Sequence, residues 1–391
     1  MSRCTRVAFL KTLDSECALK GHMASSFDRP ISLALSGGGI RAMAYHLGVL
    51  KWLAERGLFE QVKRISTVSG GSLLMGLIYK SADFKWPSSN YFLDKTWSSV
   101  TDQLCSRNLQ LGAFGQLASI ANWRFLFSRA NLLALELTES WGLDVPLADL
   151  PYGPEWSING TTAENGKRFR FKGAEIGDWD LGYADAPDFP LGYALAVSAA
   201  FPVGFGPLVI DTHDFVWRRR LRWGDVAGTE VEVKLPYRRL HLYDGGLYDN
   251  LGTEAFFDMG KQVSKHPGDY IIASDAGAPL AYGMTWGPLS PFRIKRMMDI
   301  MSDQTRSLRV RAFANFLQNL EEDGALLQIG TAIHGESCAE AQFAKTFPTS
   351  LERFDQRDFD RITSYGYEVT ETVDRQFGVC RGSAPSLHCD I

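Results

Sequence analysis

Apolar residues run without interruption through 31–35 (ISLAL), and the pattern then changes period: across 42–56, Met43, Leu47, Leu50 and Ala54 share one face at helical spacing. The first block predicts a buried strand and the second a helix, which Gly57 ends where a C-cap glycine belongs. The same sequence of events follows at once. An apolar strand over 64–68 runs into Ser69-Gly-Gly-Ser72, and 73–79 is apolar enough for a buried helix. Strand, glycine turn, helix, repeated, predicts an α/β protein: a three-layer α/β/α sandwich around a mainly parallel sheet.

Beyond residue 82 the pattern loosens. Residues 83–150 contain no strand pattern, and Trp97, Phe114, Leu117, Trp123, Phe125 and Leu126 stud a mostly helical insert. That insert extends to about 187 through small alternating strands such as 168–172. A helix over 193–200 stops at Phe201-Pro202, 215–235 alternates as a hairpin does, and 240–243 and 270–274 read as buried strands. From 292 to 320, Ile294, Met297, Met301, Thr305, Leu308 and Ala312 keep a helical stripe. A strand over 326–333 and a helix over 351–377 close the chain. Residues 1–28 form a lead-in, and 29–391 form one elaborated domain with its insert at about 83–187 and a helical C-terminal part. There is no internal repeat.

Composition narrows the function classes. The 391 residues carry 41 Lys and Arg against 45 Asp and Glu, a net charge of −4, which offers no global attraction to nucleic acid. Six scattered cysteines without a CxxC pair argue against a disulfide framework or a cysteine zinc site and favour a reducing compartment. Residues 1–24 hold Arg3, Arg6, Lys11, Asp14, Glu16 and Lys20, which leaves no apolar core for a signal peptide. The longest uncharged run, 189–210, contains Pro190, Pro202 and Pro207 and reads as helix, turn and strand rather than a membrane span. The expectation is a soluble, cytoplasmic protein without cofactor or metal. One segment, Trp217-Arg-Arg-Arg-Leu-Arg-Trp223, joins tryptophans to arginines either as a peripheral membrane contact or as a solvated hairpin face.

Adjacent glycines occur in three places only: Gly37-Gly38-Gly39, Gly70-Gly71 and Gly245-Gly246. Each follows a predicted strand. Thr67-Val-Ser-Gly-Gly71 places a serine between strand and helix, as a nucleophile elbow requires, although Thr67 stands where the strict G-x-S-x-G pattern has glycine. Gly37, Gly38 and Gly39 offer backbone N–H groups for an oxyanion, with Arg41 to brace the loop or hold negative charge. Asp244 precedes two glycines at the end of a strand, where ligands of open α/β sheets bind. A competing match, Gly37-x-Gly39-x-x-Ala42 as a dinucleotide fingerprint, lacks the acidic residue that should end the second strand, and no GK[ST] supports a P-loop.

These residues resemble the patatin-like phospholipases. Ser36-Gly-Gly-Gly-Ile-Arg41, Val68-Ser-Gly-Gly-Ser72, Ala199-Ala-Phe-Pro202 and Asp244-Gly-Gly246 match in the family's order over roughly 30–252. The resemblance implies a lipid acyl hydrolase that acts on a lipid or ester substrate through a Ser–Asp dyad. Ser69 would be the nucleophile, Asp244 the base and the Gly37–Gly39 loop the oxyanion hole. Two alternatives stay open: a Ser69–Asp275–His334 triad in α/β-hydrolase order, and a catalytically silent patatin-like scaffold. His46 reads as a hydrogen-bonded helix residue.

Overall fold

A computed structural model describes residues 27–380, apart from 127, 202–205, 223–225, 227, 281, 284–286, 288–289, 291, 320–322 and 334–338. Its centre is the parallel run that the glycine-punctuated segments predict. Strand β1 (Ile31–Leu35) lies between β2 (Val62–Val68) and β13 (Tyr270–Asp275), with β14 (Gly324–Gln328) beyond β13 and β3 (Glu155–Thr162) beyond β2, all parallel. Both faces of β1 and β13 are buried, which explains their unbroken apolar runs.

Past β3 the sheet turns antiparallel. It continues through β4 (Arg168–Lys172), β5 (Glu175–Asp178), β6 (Gly182–Asp185), β8 (Trp217–Arg219) and β9 (Val231–Val233). The hairpin predicted over 215–235 is the β8–β9 pair. Strand β7 (Leu208–Asp211) pairs with β10 (Arg239–Asp244), and β11 (Phe257–Asp258) with β12 (Val263–Ser264).

The parallel strands are covered on both sides. Helix α1 (Gly39–Glu55) packs on α9 (Gln356–Phe377). Their approach is close enough that a methyl at Gly48 would fall 2.0 Å from the Thr363 carbonyl oxygen, and one at Gly366 would fall 2.2 Å from that of Tyr45. Helix α2 (Gly70–Ser81) follows the second glycine turn. The insert supplies α3 (Trp97–Ser106), α4 (Leu109–Gly115) and α5 (Arg129–Leu135), and α6 (Leu191–Ser198) packs on α5 and on β3. On the opposite face, Phe313 and Phe316 of α7 (Phe292–Asn319) cover Ala34, Ile271 and Ala273. Helix α8 (Ala339–Thr346) packs on α9.

Two boundaries depart from the sequence pattern for local reasons. Helix α9 starts at Gln356 rather than 351 because the Asp355 carboxylate caps it, accepting from the Arg357 N–H. Strand β14 ends at Gln328 rather than 333, two residues before Gly330 turns the chain at φ 93°. Among the described residues, no helix is long and apolar enough to cross a membrane.

Candidate active site

Strand β3 aligns the two halves of the site. Its lower part pairs in parallel with β2, which ends with Val68 opposite Asn159. Its upper part pairs antiparallel with β10, which ends with Asp244 opposite Gly160. The two strands therefore meet head to head along one edge of β3, and the next residue of the first, Ser69, arrives beside the last residue of the second. Asp244 was expected at the end of a strand in the parallel sheet. Its strand runs the other way, because it enters that edge from the top.

Ser69 adopts φ 50° and ψ −120°, a backbone conformation that costs a non-glycine residue on the order of 1–3 kcal/mol and that turns the chain sharply into α2. The Asp244 carboxylate accepts the Gly246 N–H at 2.7 Å and is placed to accept from the neighbouring Ser69 hydroxyl. Burial pushes the Asp244 carboxyl up to about 7, against the lowering effect of those two partners. The block that ends α6 clamps both partners: the Ser198 hydroxyl accepts the Ser69 N–H at 3.0 Å, and the Ala200 carbonyl accepts the Asp244 N–H at 3.1 Å.

Thr67 fits the elbow without being small. Its Oγ1 accepts from the Ser72 hydroxyl at 2.8 Å and from the Trp156 indole N–H at 2.9 Å, and Ser72 reaches Ser198 Oγ at 2.8 Å. The side chain occupies a hydrogen-bonded pocket beneath the turn, so the departure from glycine is matched by partners on α2, β3 and α6.

The glycine triplet lies over the serine. A methyl on Gly37 would stand 3.0 Å from Ser69 Cβ and 2.4 Å from Asn250 Oδ1. Of the three N–H groups expected to face an oxyanion, that of Gly37 is already spent on the Asn250 carbonyl at 3.1 Å. Those of Gly38 and Gly39 have no acceptor among the described residues. Arg41 is buried and braces the loop: it donates to the carbonyls of Ala276 at 3.2 Å and Phe347 at 2.7 Å. Burial, with the Arg306 cation nearby, lowers its guanidinium to about 10, while Asp275 acts the other way.

His46 sits beneath the same loop, with one ring nitrogen 3.0 Å from the Ser36 carbonyl and the other 2.7 Å from Ser274 Oγ. Nε2 therefore carries the proton and Nδ1 accepts from the serine hydroxyl. Burial lowers the imidazole to about 4, against its bond to Ser36, so the ring stays neutral.

Asp275 ends β13 fully buried, its two carboxylate oxygens held by the Arg306 guanidinium at 3.0 and 2.6 Å. His334 lies outside the described residues. Trp217, considered for a membrane contact, is buried with its indole N–H on the Thr212 carbonyl, and Arg218, Arg219 and Arg220 bond to Asp185, the Asp180 carbonyl and Glu230. Trp223 lies outside the described residues.

Above Ser69 and Asp244 opens a cavity of about 560 Å³. Ala199, Phe201, Phe114 and Leu351 give it an apolar side, and Lys295, Arg296, Asp299 and Asp303 of α7 give it a charged one. Asn250 and the α7 wall carried no motif. Asn250 joins the site from the turn after β10 by accepting the Gly37 N–H, and the α7 wall joins it from the chain that follows β13. Among the described residues, no group of three or more His, Cys, Asp or Glu side chains is arranged to hold a metal ion.

The sequence profile of the family described as Patatin-like phospholipase matches residues 33–257, more than half the chain and nearly the whole span from β1 to β11. The chain belongs to the patatin-like phospholipase family. Solved structures resemble this patatin-like fold over most of its length. Human GIVD cytosolic phospholipase A2 superimposes with a TM-score of 0.52 at 14% identity, over 90% of this chain and 62% of that one. The same human enzyme in complex with methyl γ-linolenyl fluorophosphonate and terbium chloride gives 0.50 at 16% identity, over 90% and 58%. The chain thus spans less than two thirds of the length of those enzymes, and the likeness is one of fold. No curated protein sequence matches it.

Proposed function

We propose that this patatin-like chain is a serine-dependent lipid acyl hydrolase, cleaving carboxylic esters of lipids through Ser69 and Asp244. The observation that carries the reading is the juxtaposition of a serine, on a strained turn at a helix N-terminus, with a buried carboxylate that the pairing of β2 and β10 on β3 brings beside it and that burial raises to about 7. A serine hydroxyl attacks only when a base takes its proton, and a carboxylate with a pKa near neutrality is a competent base at cellular pH.

Asp244 accepts the Ser69 proton as Oγ attacks the ester carbonyl. The carbonyl oxygen becomes an oxyanion beside the unpaired N–H groups of Gly38 and Gly39, supported by the positive end of α2. Collapse of the tetrahedral species expels the alcohol, which takes the proton from Asp244, and leaves an acyl group on Ser69. Water, deprotonated by the same carboxylate, then attacks the acyl group, and Asp244 returns the proton to Ser69 Oγ as the fatty acid leaves. The apolar side of the cavity suits an acyl chain, and the charged side suits a polar headgroup.

A fluorophosphonate, the inhibitor class bound in the human relative, tests the reading directly. Labelling should fall on Ser69, and both labelling and p-nitrophenyl butyrate hydrolysis should vanish in Ser69→Ala. A folded wild-type chain that resists the probe and leaves esters intact would favour a non-catalytic scaffold.

A further inference from the structure

Over its first turns α7 is amphipathic the wrong way round. Lys295, Arg296, Asp299, Ser302, Asp303 and Arg306 line the cavity, while the apolar side chains of the stripe face solvent. Ile294 is 67% exposed, Met297 63% and Met301 68%, and Ile300 and Leu308 are exposed with them. A surface helix of a globular protein does the reverse. From Val310 onward the helix turns apolar side chains inward.

A second apolar ridge stands on the other side of the same cavity. Gln110 and Phe114 of α4 line the wall there, Leu111 points outward, and Ile120, Trp123 (62% exposed) and Leu126 follow in the next turns. The Trp123 indole N–H is already given to the Leu117 carbonyl at 3.0 Å, so its exposed ring presents no unpaired donor to an apolar surrounding. Exposed apolar side chains grouped beside a cavity suit a docking surface.

We propose that the two ridges seat on the surface of a lipid layer, with the mouth of the cavity opening against it. The proposal rests on the acyl hydrolase reading of the site. A lipid surface is the occupant that the layout fits. Both ridge helices also line the cavity, so a second protein chain seated on them would cover it, whereas a lipid layer feeds it. Lys295, Arg296 and Arg124 beside the ridges have stems long enough to reach headgroups while neighbouring side chains sink below them.

The test uses the full-length chain carrying Ser69→Ala, so that lipid is bound but not consumed, and sucrose-loaded phosphatidylcholine vesicles that are sedimented. The parent should sediment with the vesicles. Met297→Ser with Met301→Ser, and separately Leu111→Ser with Trp123→Ser, should each weaken partition roughly tenfold or more. The same substitutions in the Ser69 protein should leave hydrolysis of soluble p-nitrophenyl butyrate within about twofold, as exposed side chains outside the cavity allow. Vesicles of brominated phosphatidylcholine provide a measurement on the otherwise unaltered parent: tryptophan quenching that Trp123→Phe removes supports the proposal, and absence of that quenching overturns it. Partition unchanged in both ridge variants overturns it too. A wild-type dimer that either variant converts to monomer, with vesicle binding retained, assigns the ridges to a second copy instead. A parent that ignores vesicles while Ser69 protein hydrolyses p-nitrophenyl butyrate overturns the docking face and leaves the acyl hydrolase standing. Ridge-dependent vesicle binding by a chain that hydrolyses no ester does the converse.

Discussion

Trp156 donates its indole N–H to Thr67 Oγ1 at 2.9 Å, beneath the turn that carries Ser69. The residue that breaks the small-residue pattern of the elbow is thus a hydrogen-bonding hub, and Ser72 uses the same oxygen. Thr67→Val keeps the shape and removes the acceptor, leaving a buried indole N–H unpaired. It should cost about 1–3 kcal/mol in urea unfolding. Adding Trp156→Phe should cost less than the two single changes summed, and additive losses would show that the contact carries no coupling. Fluorophosphonate labelling of Ser69 should persist in both.

The raised carboxyl of Asp244 sets a pH profile. kcat/KM for p-nitrophenyl butyrate should fall about tenfold per unit as pH drops below about 7 and level off above it, because only the ionised carboxylate accepts the serine proton. Asp244→Asn should remove roughly 10²–10⁴ of the rate. Stability moves the opposite way. A carboxyl raised on folding contributes stability in full below its unfolded value, and that contribution is lost as pH rises through about 7. Asp244→Asn should therefore raise the Tm relative to wild type at pH 8 and lose that advantage at pH 4. An unshifted profile in calorimetry would refute the linkage.

Gly37 tolerates nothing larger. Its added methyl would lie 2.4 Å from Asn250 Oδ1 and 3.0 Å from Ser69 Cβ. Gly37→Ala should slow fluorophosphonate labelling on the order of 10²-fold or more, by displacing the loop from the serine. Gly115→Ala meets no atom within 4 Å at an ordinary helical φ of −59°, and labelling should be unchanged. Equal effects of the two would mean that the loop is not part of the reaction.

Arg306 neutralises a fully buried carboxylate. Arg306→Ala should cost roughly 3–5 kcal/mol, read by denaturant titration, since it strands the Asp275 charge. Arg306→Lys should recover only part, because an ammonium cannot reproduce the two-pronged contact. A loss below about 1 kcal/mol for Arg306→Ala would show that the pair is solvent-screened.

The glycine-punctuated strands, the serine turn and the aspartate block were legible because each depends on local backbone chemistry: small residues, sharp turns, a change of period. What escaped depends on tertiary direction. Residues 240–243 announce a strand but not that β10 enters β3 from the opposite end. The Gly37 N–H looked available until Asn250 arrived to accept it. The stripe of Ile294, Met297 and Met301 has the spacing of a core face and the opposite orientation, since periodicity defines a face without saying what it looks at. Asp275, plausible as a triad acid from its position after a strand, is gripped by an arginine 31 residues away in sequence.

Strand β3 behaves as a splint on which two free ends are set. A slip of one residue in either pairing would move Ser69 or Asp244 by about 3.3 Å, farther than a hydrogen bond can stretch. On the proposed dyad, catalytic rate is a readout of strand registry, and lesions deep in Ser157–Thr161 should silence ester hydrolysis as fully as loss of the serine itself. The spacing of Ser69 and Asp244 is measured across the sheet and not along the chain.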